Sequence, residues 1–382
     1  MRILHVITTL SPVDGGPPHA VRQLALAWAQ IDVEAEVVTL DAPSEPFLQG
    51  LPFPVHALHD GQFGRFRYSR KLGPWLRQNL PRFDGVVVHG LWTYHNLAVR
   101  REARRAGKPY GVFTHGGIDP WFNKKYPGKY RKKKLFWPWQ YPVLRDAVRV
   151  FFTSDVERNL AKTSFQPNKW TPQVVRYGLN DPTGDPRAQI EAFLEKFPAL
   201  RGRRYLFFLG RLHEKKGCDL LVRAFASIAA SAPELQLVIA GPDQEGLQAK
   251  LEAMARDLGI ATRVHWPGLI GGDLKWGALR AAEAFVLPSH QENFGIAVAE
   301  SLAAGRPVLI SNEVNIWREI QADGVGLVEP DTLEGTEKLL QGWLALSEAE
   351  RAAMASRCYD AFRRRYLMKE TVLAIQRTFA GG

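Results

Sequence analysis

Pro288-Ser289-His290-Gln291-Glu292-Asn293-Phe294-Gly295-Ile296-Ala297-Val298-Ala299-Glu300 is the stretch whose reading decides the fold. Before it, Ala284–Leu287 is an apolar run of strand length; Ile296–Ala304 then has a helical composition. Gly295 lets the backbone turn tightly between the two. The unpaired amides of the helix start, with the positive end of its dipole, then lie beside the strand end. That is an anion site suited to a diphosphate. Glu300 lies just over one turn inside the helix. From there its carboxylate can accept from two ribose hydroxyls, as an acid does in dinucleotide-binding folds. Glu292, on the loop, lies closer to a sugar. The plain alternative is a helix cap with a solvated glutamate.

The same alternation of strand and helix extends in both directions. Ile3–Thr8, Ala35–Thr39, Val86–His89, Gly111–Thr114 and Val148–Thr153 read as strands, with Pro18–Gln30 and Leu97–Ala106 as helices. It resumes with strands at Tyr205–Leu209, Leu235–Ala240, Arg263–Trp266, Ala284–Leu287 and Pro307–Ser311, and helices at Leu220–Ala230, Glu245–Leu258 and Ile296–Ala304. Short strands alternating with helices predict parallel sheets, because parallel strands need a crossover. The expected fold is therefore α/β, with two Rossmann-like doubly wound domains facing a central cleft. The expected bounds are 1–180 and 205–363, joined by a Gly-, Pro- and charge-rich linker at 181–204. A last helix, about 364–382, is expected to pack back on the first domain.

Four further stretches fall at predicted strand ends. In Phe208-Leu209-Gly210-Arg211-Leu212-His213-Glu214-Lys215-Lys216-Gly217, Arg211 and Lys216 bring two positive charges to a diphosphate, and the glycines allow close backbone approach. A G-x-x-x-x-G-K-[ST] loop is absent, which gives an ATPase no support. Ser11-Pro12-Val13-Asp14-Gly15-Gly16-Pro17-Pro18-His19 offers amides at Gly15 and Gly16 on the cleft edge of the first domain. In Phe113-Thr114-His115-Gly116-Gly117, His115 is placed to hydrogen-bond a sugar, although a lone histidine is more often structural. In Phe152-Thr153-Ser154-Asp155-Val156-Glu157, Ser154 reads as a helix cap with Glu157 completing a capping box.

With 46% apolar and 23% charged residues, the 382-residue composition is that of an ordinary globular protein. No apolar run reaches the ~18 residues of a membrane span, and Met1–Leu10 does not read as a signal peptide. Cys218 and Cys358 have no metal-ligand spacing, which fits a reducing cytoplasm. The net charge of +11 implies an anionic partner. It concentrates in Trp121–Arg145, where Lys124, Lys125, Lys129, Arg131, Lys132, Lys133, Lys134 and Arg145 stand with no acid. Trp121, Phe122, Tyr126, Tyr130, Phe136, Trp137, Trp139 and Tyr141 are interleaved among them. Basic residues beside Trp and Tyr suit an anionic membrane surface, and a solvated loop is the plain alternative.

These five stretches, in this order, resemble glycosyltransferase family 4, of GT-B fold and retaining stereochemistry. Thr114–Trp121, reading T-H-G-G-x-D-P-W, is similar to the subgroup that builds bacterial surface polysaccharides. The resemblance implies transfer of a hexose from a UDP- or GDP-linked sugar to a glycan or lipid-linked acceptor. It places Arg211 and Lys216 on the diphosphate, Glu300 on the ribose, Glu292 near the sugar, and the amides around Asn293, Phe294 and Gly295 on the phosphate or sugar. His115 would contact the sugar, Gly15 and Gly16 would face the diphosphate and acceptor, His19 would lie on the acceptor side, and Lys132, Lys133 and Lys134 would meet the membrane. One departure is Arg176-Tyr177-Gly178-Leu179-Asn180, where the family shows a form of Asn-Gly-Asp. With no D-x-D in the chain, no metal and no cofactor beyond the nucleotide sugar are expected. The competing readings are a GT-B sugar-nucleotide epimerase, which should show acid–base carboxylates around the sugar, and a basic nucleic-acid-binding protein, which has no RNP or GXXG motif here.

Overall fold

The computed structural model describes residues 1–60, 64, 66–243 and 245–380, apart from the side chains of Phe122 and Lys124. Those two members of the basic segment therefore lie outside the described residues. The chain divides into two compact units, Met1–Asn180 with Leu367–Gly382, and Asp181–Tyr366.

The first unit runs β1 (Arg2–Val6), α1 (Gly16–Trp28), β2 (Glu34–Thr39), β3 (Val55–Ala57), α2 (Leu72–Asn79), β4 (Gly85–His89), α3 (Tyr94–Arg105), β5 (Tyr110–Phe113), α4 (Pro120–Lys125), α5 (Pro127–Arg145), β6 (Arg149–Phe152), α6 (Asp155–Ala161) and β7 (Pro172–Val174). Its strands form one parallel sheet in the order β3-β2-β1-β4-β5-β6-β7. Val86, Val87 and Val88 of β4 are fully buried. Both faces of the sheet are thus covered, which gives a parallel strand its continuous apolar run.

The second unit runs α7 (Pro186–Lys196), β8 (Tyr205–Leu209), α8 (Cys218–Ile228), β9 (Gln236–Ala240), α9 (Leu247–Asp257), β10 (Val264–Gly268), α10 (Gly272–Ala281), β11 (Ala284–Leu287), α11 (Ile296–Ala303), β12 (Val308–Ser311), α12 (Trp317–Asp323), β13 (Gly326–Glu329), α13 (Leu333–Ala345) and α14 (Glu348–Tyr366). Its sheet is also parallel, in the order β10-β9-β8-β11-β12-β13. The strand order reverses between β1 and β4 in one unit and between β8 and β11 in the other. Open parallel sheets bind ligands beyond the carboxyl ends of the strands at such a reversal.

The structure differs from the sequence expectation in three places. The 181–204 segment is not plain linker: it carries α7, whose first turn is capped by Asp185 and whose Gln189 backbone lies against Gly277 of α10. The expected single terminal helix breaks at Leu367, so that α14 stays with the second unit and α15 (Met368–Ala380) returns to the first. Edge strands β3, β7 and β13 are three or four residues long and poorly buried, so they carry little hydrophobic pattern.

The Arg176–Asn180 loop explains how α15 is held. A Cβ on Gly178 would lie 2.5 Å from the backbone of Leu367 and Met368, so only glycine admits that crossing. The Met368 N–H donates to the Leu179 carbonyl at 2.9 Å, the Thr371 hydroxyl to the Arg176 carbonyl at 2.7 Å, and the Asn180 amide to Gln23 Oε1 of α1 at 2.8 Å.

Candidate functional site

In the second unit, the loops after β8 and β11 flank the reversal and are joined to each other. The His290 N–H and the Ser289 hydroxyl both donate to the Lys215 carbonyl, at 2.8 and 2.9 Å. Gly217, at φ 65°, caps α8, and a Cβ there would lie 2.1 Å from the Pro288 carbonyl oxygen. A larger residue at 217 would force the two loops apart. The Lys216 ammonium is thereby brought onto Glu292 Oε2 as a close ion pair. Burial, with Lys215 and Arg211 nearby, pulls the Lys216 amine below its ordinary pKa. The Glu292 carboxylate acts the other way and favours the ammonium. Arg211 is exposed beside it.

Glu292 is itself fixed, its N–H donating to the Glu313 carbonyl at 2.9 Å and its carbonyl accepting from Asn315 at 3.0 Å. Gly295, at φ 82°, then starts α11 in the left-handed conformation that the tight turn requires. The Phe294 ring points inward, edge-on to Tyr366 at 5.6 Å. Asn293 beside it is half-buried. Glu300 is buried, and the Lys275 ammonium of α10 donates to its Oε1 at 2.6 Å. Sequence reasoning missed Lys275, which sits on a different helix in an unremarkable context. Lys216–Glu292 and Lys275–Glu300 keep both carboxylates paired.

In the first unit, Gly15 (φ 85°) caps α1. Pro17 and Pro18 follow, so two of the first helical positions have no N–H, and this helix start offers fewer donors than α11 does. His19 is half-buried on the same turn. The loop after β5 is more tightly held. Glu157 Oε1 accepts from the Thr114 hydroxyl at 2.7 Å and the Gly116 N–H at 3.0 Å, while Oε2 accepts from the Thr153 N–H at 2.7 Å. Ser154 caps α6 as the sequence predicts, accepting from the Glu157 N–H at 3.0 Å. Glu157 does not complete the expected box, because its carboxylate ties that loop to β6. His115, at φ 48°, is one of four non-glycine residues with positive φ among the described residues. Its ring nitrogens lie 3.1 Å from His89 Nδ1 and 2.7 Å from the Tyr177 hydroxyl. A sugar hydroxyl at that ring would have to displace one of these partners.

The basic segment folds as α4 and α5 in the first unit and is two-faced. Trp137 is buried against Phe165, with ring centroids 4.7 Å apart, and the Tyr130 hydroxyl donates to the Ser164 carbonyl. Of the expected surface aromatics, Trp137 is therefore core, and Tyr130 and Tyr141 pack partly buried against the same cluster. Lys133 corrects the expectation for its lysine triplet. Its amine turns inward over the Trp92 ring at 4.8 Å and donates to the Gly117 carbonyl, and burial lowers its pKa to about 8. Arg145 is paired with Asp146 at 2.8 Å. The outward face of α5 carries Arg131, Lys132 and Lys134 around Leu135 and Trp139, which are 76% and 62% exposed.

Comparison with known proteins agrees with this architecture. The model for glycosyl transferases group 1 matches residues 189–359, and that for the glycosyl transferase 4-like domain matches 15–178. The GDP-mannose:cellobiosyl-diphosphopolyprenol alpha-mannosyltransferase of Xanthomonas campestris is 25% identical over 86% of this chain and 83% of its own. Its namesake in Xanthomonas oryzae is 26% identical over 89% and 87%. Anabaena HepE in complex with UDP and glucose superposes with a TM-score of 0.80 at 16% identity, over the whole of both chains. WaaG, a glycosyltransferase of lipopolysaccharide biosynthesis, superposes with a TM-score of 0.72 at 17% identity, also over both whole chains. The chain belongs to glycosyltransferase family 4, of GT-B fold.

Proposed function

We propose that this family 4 glycosyltransferase moves a hexose, with retention of anomeric configuration, from a UDP- or GDP-linked sugar to a lipid-linked glycan. The observation that supports it most is the pair of loops joined beyond β8 and β11. They join Lys216 to Glu292, with exposed Arg211 on the first loop and α11, which carries Glu300, following the second. Arg211, Lys216 and the α11 amides receive the diphosphate. Glu300 accepts from the ribose hydroxyls while Lys275 holds its other contact. Glu292 lies beside the sugar. As the sugar–phosphate bond breaks, negative charge grows on the departing diphosphate. Fixed ammonium, guanidinium and amide groups stabilise it without a metal ion. The acceptor hydroxyl attacks from the side the diphosphate leaves, and its proton passes to the departing phosphate oxygen.

The two Xanthomonas relatives make GDP-mannose and a diphosphopolyprenol-linked acceptor the first pair to test. The assay mixes the protein with GDP-mannose, UDP-glucose and the matching β-linked donors, with and without excess EDTA, and reads product anomer by NMR. An α-linked product from an α-donor, undiminished by EDTA, is the expected result. A β-linked product, or activity restored only by Mg²⁺ or Mn²⁺, would overturn the stereochemical or metal-independent part respectively. Hydrolysis or epimerisation with no transfer would overturn the whole.

The outward face of α5 supports peripheral docking on an anionic membrane, where such an acceptor resides. Among the described residues no helix is long and apolar enough to cross a bilayer. Each basic residue near an anionic leaflet contributes about 1 kcal/mol, and an exposed Trp beside Leu suits headgroup depth. Because Lys133 is turned inward, the informative variants are Arg131→Glu with Lys132→Glu, and separately Trp139→Ser. Vesicles containing phosphatidylglycerol should co-sediment wild type, less so as salt rises. The charge-reversed pair should lose roughly a thousandfold in binding, at ~1 kcal/mol per residue removed and again per charge reversed. Wild-type binding by that pair would reduce this face to solvated surface.

A further inference from the structure

Five side chains of the first unit form one unbroken hydrogen-bonded line. The Trp28 indole N–H of α1 donates to His5 Nε2 of β1 at 2.7 Å. His5 Nδ1 lies 2.9 Å from His89 Nε2, at the end of β4. His89 Nδ1 lies 3.1 Å from His115 Nε2, and His115 Nδ1 lies 2.7 Å from the Tyr177 hydroxyl. Trp28, His5, His89 and Tyr177 are buried, and the Phe113 ring lies parallel to both His89 and Tyr177 at 5.4 Å.

The chemistry of the end group orders the whole line. An indole N–H can only donate, and a neutral imidazole carries one N–H and one acceptor nitrogen. His5 Nε2 must therefore be the acceptor, so His5 carries its proton on Nδ1. That proton points at His89 Nε2, which must accept, so His89 is also protonated on Nδ1. The same step makes His115 the Nδ1–H form, donating to the Tyr177 oxygen. No ring nitrogen along the line remains for a second proton. Burial agrees with this, pulling His5 and His115 down to about 3 and His89 well below its ordinary value. The line ends at Trp28 in the core, so it is a lock and not a conduit to solvent. What it locks is the loop after β5, where His115 and Gly116 both take left-handed backbone, at φ 48° and 71°. Glu157 grips that loop on one side and the histidine line on the other.

We propose that Trp28, His5 and His89 are positioning residues for the transfer reaction: they impose one proton order on the line, fix His115 as its Nδ1–H tautomer, and hold its loop at the carboxyl edge of the first sheet. The proposal rests on reading that loop as part of the sugar site. The test uses the full chain labelled with ¹⁵N-histidine, at pH 7 without ligand. Long-range ¹H–¹⁵N correlations give the tautomer of each ring. His5, His89 and His115 should all be Nδ1–H, and an Nε2–H form at any of them overturns the proposal. Trp28→Phe removes the one obligate donor. The single tautomer order should then be lost, and kcat should fall about tenfold with donor KM held within about twofold, the loss expected of one buried hydrogen bond. A folded Trp28→Phe protein that keeps all three Nδ1–H forms overturns it. Tyr177→Phe leaves the order unchanged if it is set from Trp28, and a changed order there also overturns it. Should Trp28→Phe fail to fold, the wild-type and Tyr177→Phe spectra still decide. If no donor is turned over at all, the functional reading fails while the spectra stand.

Discussion

Lys216→Ala is expected to lower kcat by about two to three orders of magnitude, the loss seen when one fixed donor is taken from a charge that grows in a transition state. The ground-state diphosphate already carries negative charge, but its bridging oxygen gains more as the sugar departs. A cation held at that oxygen therefore does more for the transition state than for binding. Lys216 is suited to this because it does not wander. The 3₁₀ turn Glu214–Lys216 and Gly217 set its backbone, and the β11 loop closes over it. Its pairing with Glu292 keeps the ammonium in place before the nucleotide arrives.

The same pairing complicates the variant. Removing the ammonium leaves a half-buried carboxylate without its partner, which is destabilising in itself. Lys216→Met combined with Glu292→Gln removes both charges and should recover the melting temperature lost in Lys216→Ala. Its kcat should stay low. Recovery of kcat along with stability would mean that Lys216 serves the fold and not the chemistry. Turnover equal to wild type in Lys216→Ala would remove the assignment.

What the sequence reveals here follows the range of its interactions. The strand–glycine–helix units at Leu209–Cys218 and Leu287–Ile296 are local, and their residue types carry the turn, the amide donors and the charge within about ten positions. Both fold at the strand reversal of the second sheet, as parallel α/β logic requires. Contacts made across long separations leave no such trace. His5 and His89 are 84 positions apart, each a single histidine beside buried apolar strand neighbours, and such residues read as ordinary core. Lys275 looks like any lysine on an amphipathic helix until α10 is laid beside α11. Tyr177 reads only as a departure from a motif, yet it ends the histidine line. The basic segment misleads for a different reason. Composition counts Lys133 and Trp137 with their neighbours, whereas helical periodicity turns them to the opposite side of α5 from Lys132 and Trp139.

The first unit should also be the acid-labile half of the protein. His5, His89 and His95 are buried, and burial holds His5 at about 3, His95 at about 4 and His89 well below 6.5. In the unfolded chain each titrates near 6.5. Below that pH the unfolded state binds protons that the native state refuses, so stability is complete above about 6.5 and falls as pH drops toward the native values. Each refused proton costs about 1.4 kcal/mol per pH unit, and these three with His115, also held at about 3, together cost roughly 5.5 kcal/mol per unit. A domain stable by ~5–15 kcal/mol would lose much of that between pH 6 and 5. Asp146, which burial pushes up but hydrogen bonds from Arg145, Arg100 and Arg104 together hold at about 2, adds to the slope only at still lower pH. Urea unfolding at pH 7, 6 and 5, followed by hydrogen exchange resolved to the β1, β4 and β5 amides, measures the effect. Those amides should lose protection well before the β8 and β11 amides of the second unit. His95→Gln keeps a donor for the His89 carbonyl, which His95 Nε2 contacts at 2.9 Å. That variant should reduce the pH slope by about one proton, or ~1.4 kcal/mol per unit. Equal urea midpoints at pH 7 and pH 5 would show that these imidazoles are protonated in the native state after all, and the single proton order along the line would fall with them.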